Sequence, residues 1–376
     1  MMNKTGLYIH IPFCHKICSY CDFVKRVSTK ENIKKYIDVL IKEIDLYKEE
    51  GFEFDKIETI YIGGGTPSIL DVECFEKLLN KIFQVVDKNK IQEFTVEFNP
   101  EDIRKELIDL FVSYNVNRIS IGIQTFNEEL LELLNRSFDV DLFLENYKYL
   151  KSKISNVNFD LMYAIPGQTL KDLENSILKT IELKPTHLSI YSLILEPNTI
   201  FENMIKKGEI SLCSEELELQ MVDKINKLLF PIYNKYEVSN YCIKNYESKH
   251  NLIYWKNQNY LGIGVSSASY IGKYRFNNTN SLKLYKEMIN NQKLAIQDVE
   301  ELSIIDEKKY HIIMGLRLVK GINIKEYFKR YNTEILSDFP KISKFIEKGY
   351  MEISSDYLFI KEQYFYVMNY LLEQLI

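Results

Sequence analysis

The chain has 376 residues, of which 46% are apolar and 27% charged, and its formal net charge is −5. With only 14 Gly and 8 Pro, this composition excludes a disordered or collagen-like chain, and the acidic balance offers no basic field for nucleic acid. No run approaches the ~20 apolar residues that span a bilayer, and the opening MMNKTGLYIHIPFCHK lacks the apolar core of a signal peptide, so a cytoplasmic location is expected.

The first 270 residues or so read as alternating strands and helices. A short apolar strand covers residues 6–11 and stops at Pro12. Residues 31–50 place Ile33, Ile37, Leu40, Ile41 and Ile44 at helical spacing. A strand over 58–62 meets the run Gly63-Gly64-Gly65-Thr66-Pro67, and Asp71 is the expected N-cap of a helix over 72–86. Strands then follow at 93–98, 117–123, 157–163 and 186–193, with helices near 102–113, 127–134, 139–151 and 170–182. Six strands separated by helices predict right-handed crossovers and a parallel sheet. In such folds ligands sit at the carboxyl ends of the strands. The conspicuous polar and glycine positions fall there: the cysteine loop, the glycine run, Glu97, Gln124 and Asp160. Beyond 290 three helices precede two short strands at 350–354 and 357–360 and a final helix near 363–375, a winged-helix-like order or a helical cap. The expected division is 1–290 and 291–376.

Six cysteines are unevenly placed, with Cys14, Cys18 and Cys21 in one loop after the first strand. A secreted disulfide scaffold would be shorter and denser in Cys. Thiolates at this density suit an iron–sulfur cluster or zinc, or are incidental. A closed zinc site needs four ligands, and no fourth stands at a conventional spacing. Three ligands on a [4Fe–4S] cluster leave one iron open. Cys74, Cys213 and Cys242 read as non-ligands, Cys213 and Cys242 lying in polar segments, and His187 and His311 read as structural.

The spacing Cys14-x3-Cys18-x2-Cys21, with Tyr20 before the last Cys, resembles the radical S-adenosylmethionine (SAM) superfamily. The segments YIGGGTPS, TVEFNPED, RISIGIQTFNEELLELLNR, NFDLMYAIPGQT and HLSIYSLILEPNT extend the likeness to the oxygen-independent coproporphyrinogen III oxidase-like family over essentially the whole chain. The resemblance implies an α/β fold, a partial (β/α)6 TIM-like barrel with a C-terminal helical, winged-helix-like domain. It implies Cys14, Cys18 and Cys21 as ligands of a [4Fe–4S] cluster whose open iron chelates SAM. Tyr20 would lie beside the adenine, and Gly64, Gly65 and Thr66 would form the loop approached by the methionine part of SAM, where a Cβ would block. Glu97, Gln124, Asp160 and Tyr8 match further SAM-contact positions. Arg136 matches a family arginine suited to gripping a carboxylate. Ile194 matches a backbone contact.

Within that family the chain resembles the HemW-type haem chaperones more than the oxidases, which decarboxylate coproporphyrinogen III. The oxidases carry a fourth Cys where Phe23 stands here, and a longer segment before the first strand. His250-Asn251-Leu252-Ile253-Tyr254-Trp255 matches the HNxxYW motif of the chaperones, which implies His250 as a haem ligand. The implied cofactors are the [4Fe–4S] cluster, SAM and haem. The implied partners are haem or a porphyrin and haem-acceptor proteins, with room for peripheral contact with membrane haem proteins and none with nucleic acid.

Overall fold

A computed structural model describes residues 4–376. Its core is a run of six parallel strands joined by helices: β1 (Thr5–Ile11), α1 (Lys30–Glu49), β2 (Ile57–Gly64), α2 (Val72–Val85), β3 (Glu93–Phe98), α3 (Lys105–Ser113), β4 (Arg118–Gln124), α4 (Glu128–Leu133), α5 (Val140–Lys153), β5 (Asn156–Tyr163), α6 (Leu170–Leu183) and β6 (His187–Ser192). Each strand pairs in parallel with the next. The helices start where the sequence supplies caps: Thr29, Asp71, Asn127 and Asp139 each accept a backbone N–H of the first turn, and Thr169 forms a full capping box with Asp172.

Side chains alternate across these strands, as the two-residue strand period requires. Leu7, Ile9, Ile60, Ile62, Phe94, Val96, Ile119, Ile121, Val157 and Phe159 join the main apolar cluster under the helices. The intervening positions Tyr8, His10, Thr59, Tyr61, Glu97, Arg118, Ser120, Asn158, Asp160 and His187 line the opposite, interior face. The barrel lumen is therefore polar, and burying polar groups demands internal partners.

The chain continues through α7 (Ile200–Lys206), α8 (Glu215–Leu229), β7 (Asn234–Lys235), β8 (Asn240–Cys242), α9 (Lys249–Trp255), β9 (Asn259–Ile263), β10 (Ala268–Ile271), β11 (Tyr274–Asn278), α10 (Leu282–Asn290) and β12 (Ile296–Glu301). These strands widen the sheet to twelve, in the order β12-β11-β10-β9-β1-β2-β3-β4-β5-β6-β8-β7. The sheet thus continues past residue 290. Cys242, expected in a polar segment, is 1% exposed because β8 pairs with β6.

The last part holds α11 (Ile304–Gly315), β13 (Ile322–Asn323), α12 (Ile324–Tyr331), α13 (Ile335–Asp338), α14 (Lys341–Glu347), β14 (Met351–Ser354), β15 (Tyr357–Ile360) and α15 (Met368–Leu375). Its strands form a separate sheet, β13-β15-β14, and its buried residues form a second apolar cluster from Ile312 to Leu375. Helices followed by a hairpin wing give the winged-helix-like order expected. Among the described residues no helix is long and apolar enough to cross a membrane.

Candidate functional site

The loop after β1 carries the three clustered cysteines and is tied down at both ends. Cys14 N–H donates to Arg26 O at 3.0 Å and Arg26 N–H to Pro12 O at 2.7 Å. The glycine run after β2 docks onto it, with Gly65 N–H donating to Ile11 O and Thr66 N–H to Phe13 O, both at 2.8 Å. Gly64 has φ +121°, a conformation L side chains rarely adopt. A Cβ there would lie 2.7 Å from the His10 ring, and one on Gly65 would lie 2.8 Å from Cys14 Sγ. At both positions protein atoms occupy the space a Cβ would take: β1, through His10 and Ile11, at Gly64, and the cysteine loop at Gly65.

Arg136 joins the two rims of the barrel mouth. Its Nη2 donates to Asn99 Oδ1 and to Gly122 O, each at 2.8 Å, and its Nη1 lies 3.5 Å from Cys18 Sγ. Burial pushes the Cys14 thiol up to about 11, with the Thr66 hydroxyl opposing, and burial also raises Cys21. Unliganded Cys14 and Cys21 are therefore protonated at neutral pH, and binding a metal would release their protons. Tyr20 packs against the small apolar cluster of Leu130, Leu134, Met162 and Leu193.

Below the mouth, Tyr61 donates to Glu97 Oε1 at 2.6 Å and Gly64 N–H to Oε2 at 3.1 Å. Burial, with nearby Asp160 adding to it, pushes Glu97 up to about 7, so its proton is labile at working pH. Asp160 accepts from Asn158 Nδ2 at 2.7 Å and from Ser120 at 3.3 Å, and burial raises it too. Tyr8 bonds His10 Nδ1 at 2.9 Å, while His10 Nε2 lies 3.2 Å from Val24 O. A carbonyl only accepts, so Nε2 carries the hydrogen and Tyr8 donates to Nδ1. Gln124 stands at φ +65° at the end of β4, and its buried Oε1 has no partner among the described residues. Ile194 is 68% exposed in the loop after β6.

His250 lies at the other end of the lumen. Glu93 at the start of β3 accepts from Lys249 N–H at 2.8 Å and His250 N–H at 2.9 Å, pinning the first turn of α9 beneath the barrel. The imidazole is fully buried, with Nδ1 2.7 Å from Thr59 Oγ1 and Nε2 2.8 Å from Tyr254 OH. Burial, with Arg118 adding to it, lowers it to about 3, so the ring is neutral. Both His250 nitrogens are engaged in this structure, Nδ1 tying α9 to β2 through Thr59 and Nε2 bonding Tyr254 of α9 itself, so iron ligation by His250 would have to displace one of these bonds.

Sequence reasoning missed Tyr61, Thr59 and Arg118. Arg118 is 2% exposed, and its Nε has no partner among the described residues. The available signal was a polar residue at every second position of strands that are otherwise apolar.

Whether the mouth fits a cluster and SAM rests on its donors. Among the described residues no three His, Cys, Asp or Glu side chains converge on a single-ion position. A cubane cluster spreads three thiolates over three irons and needs no such convergence. Three thiols in one anchored loop, an orphaned amide oxygen on Gln124 and a carboxylate with a labile proton on Glu97 fit that larger group and a polar ligand beside it.

Residues 8–179 match the radical SAM superfamily and residues 311–363 match the HemN C-terminal domain. The fold is that of the coproporphyrinogen III oxidase HemN of Escherichia coli, a radical SAM enzyme, with a TM-score of 0.85 over 99% of this chain and 89% of that one. At 22% identity this likeness carries the fold alone. Barrel, cysteine loop and C-terminal unit together define a radical SAM protein of the HemN-like class. The chain is 38% identical to the heme chaperone HemW of Lactococcus lactis, over 88% of this chain and 86% of that protein. It is 36% identical to the heme chaperone HemW of Bacillus subtilis, over 95% of each. Within the class, the chain belongs to the HemW family.

Proposed function

We propose that the chain is a cytoplasmic haem chaperone that holds a [4Fe–4S] cluster on Cys14, Cys18 and Cys21, binds SAM at the barrel mouth, and delivers haem to acceptor proteins. The observation that carries this reading is the 38% identity to a heme chaperone over 86% of its length. Phe23, 64% exposed, stands where the oxidases have a further Cys, which also favours a chaperone.

When bound and reduced, the cluster supplies an electron able to break the sulfonium bond of SAM. The chain's own residues hold and shield. The loop from Cys14 to Cys21 presents three thiolates, and Gly65 lets that loop seat against β2. Arg136 fixes Asn99 and neutralises negative charge beside Cys18. Glu97 and Gln124 offer acceptors for the hydroxyl and amino groups of SAM. Tyr61 and Gly64 N–H orient Glu97, and Tyr8 with His10 closes the wall beside it. Tyr20 offers an aromatic face to the adenine, while Asp160 and Thr66 complete the polar lining.

The test is a titration of anaerobically reconstituted protein with haem, beside a coproporphyrinogen III turnover assay with SAM and a reductant. The proposal expects saturable haem binding and no vinyl product. Turnover to the divinyl product without haem binding overturns it.

A further inference from the structure

Two large cavities lie outside the barrel mouth, and they differ in chemistry. One, of about 1120 Å³, is lined by Tyr47, Phe52, Phe276 and Val299 with Glu50, Glu53, Asp55 and Glu58 around it, and by no His, Cys or Met. The other, of about 910 Å³, lies between α9 and the C-terminal unit, where Leu252 and Trp255 face Leu318, Ile322, Tyr357 and His311. Ligand sites are mostly apolar clefts of about 300–1,000 Å³ with a few placed polar groups.

Several observations at the second cavity converge. His311 Nδ1 lies 3.1 Å from Tyr331 OH, and Tyr331 OH lies 3.3 Å from Glu307 Oε1. With Tyr331 donating to Glu307, His311 donates from Nδ1 and keeps the Nε2 lone pair. No described residue bonds that Nε2. A ring held through its other nitrogen by a hydroxyl and a carboxylate has the tautomer and basicity that suit a metal ligand. Burial lowers His311 to about 3, so protons do not compete for the nitrogen at neutral pH. Trp255 supplies a flat apolar wall, and its Nε1 lacks a partner among the described residues. The edge carries Lys256, Lys320 and Lys329, none in an ion pair with a described residue although Lys320 Nζ lies 4.3 Å from the Tyr357 ring centroid, and with Lys4 and Arg330 these cations outnumber the lining acids Glu247, Glu307 and Glu326. A flat apolar macrocycle with a Lewis-acidic centre and two carboxylates matches a flat wall, a free imidazole nitrogen and unpaired ammonium groups. The first cavity offers no such ligand, and its four carboxylates outnumber its two cations, Lys56 and Lys90, which are themselves paired with Glu53 and Asp55.

We propose that haem, the cargo under the chaperone reading on which this inference rests, binds in the cavity between α9 and the C-terminal unit with His311 Nε2 as its axial ligand. The HNxxYW helix serves the site through Leu252 and Trp255, while His250 locks that helix to the barrel.

The test is a titration of the reconstituted full chain with iron(III) protoporphyrin IX, followed by the Soret band. The proteins compared are wild type, His311→Ala, and the double charge reversal Lys320→Glu with Lys329→Glu, two exposed positions. Wild type is expected to bind saturably. His311→Ala should lose at least tenfold in affinity and shift the Soret band, with added imidazole restoring it. The charge reversal should weaken haem severalfold and leave the dimethyl ester of haem unaffected. If His311→Ala keeps its cluster absorption, haem affinity and Soret position, this site is overturned and the chaperone reading stands. If wild type binds no haem, the chaperone reading itself falls, and the site with it. Should His311→Ala fail to fold, the charge reversal decides: unchanged affinity for haem overturns the proposal.

Discussion

Gly65 lies so close to Cys14 that a Cβ built on it would stand 2.8 Å from the sulfur and 2.8 Å from Phe13 O. The glycine loop and the cysteine loop are therefore one packed unit. Gly65→Ala must displace either the thiol or the backbone behind it. Reconstituted Gly65→Ala is expected to retain well under half of the wild-type iron and acid-labile sulfide. Full cluster content in this variant would contradict the packing account.

Glu97 titrates near pH 7 because burial outweighs the hydrogen bonds from Tyr61 and Gly64. The ionised carboxylate accepts from the hydroxyl and amino groups of SAM better than the protonated acid does, so SAM affinity should rise with pH through about 7. Tyr61→Phe removes a bond that stabilises the charged form. It should move the midpoint to higher pH, as measured by equilibrium dialysis of labelled SAM. An unchanged midpoint would remove Glu97 from the SAM site.

Glu43 is wholly buried and accepts from Tyr285 OH at 2.6 Å, Gly264 N–H at 2.8 Å and Asn278 Nδ2 at 2.5 Å. Burial nonetheless pushes it up to about 7. Between its unfolded value near 4.3 and about 7, the folded state holds a proton that the unfolded state has lost, so stability falls as pH rises through that window. One such group costs roughly 4 kcal/mol of stability across it. Urea midpoints at pH 5 and pH 8 should therefore lie closer together in Glu43→Gln than in wild type; an equal gap would show that Glu43 is not the source.

His250→Ala removes the bonds to Thr59 and Tyr254 and opens a cavity under β1 and β2. The loss should be ~2–4 kcal/mol in urea unfolding of the apo-protein, with the cluster spectrum of reconstituted folded protein unchanged. A stability within 0.5 kcal/mol of wild type, roughly the scatter of neutral surface changes, would show that the ring does not hold α9.

The six barrel strands and their helices were legible because their apolar spacing is long and regular and Gly, Asn-Pro and capping residues punctuate it. The strands β7 and β8 were not, since the Asn234–Lys235 and Asn240–Cys242 segments are too short to show a period. Cys242 was misplaced for that reason. The cysteine, glycine and arginine positions stand out because motifs mark residues at loop ends, where local spacing and local geometry coincide. His250 and His311 were harder, because their roles depend on which nitrogen meets which neighbour. Thr59, 191 residues from His250, and Tyr331, 20 residues from His311, settle that, and no local pattern encodes such pairs.

The central claim is delivery of haem, and transfer tests it directly. Haem-loaded, cluster-reconstituted protein is mixed with an excess of an apo-haem protein across a dialysis-tight affinity separation, and the Soret spectrum of each fraction is followed in time. The account predicts that haem leaves this chain for the acceptor, faster than it leaves an inert carrier such as serum albumin. Haem that stays bound, or moves no faster than from the inert carrier, would contradict it.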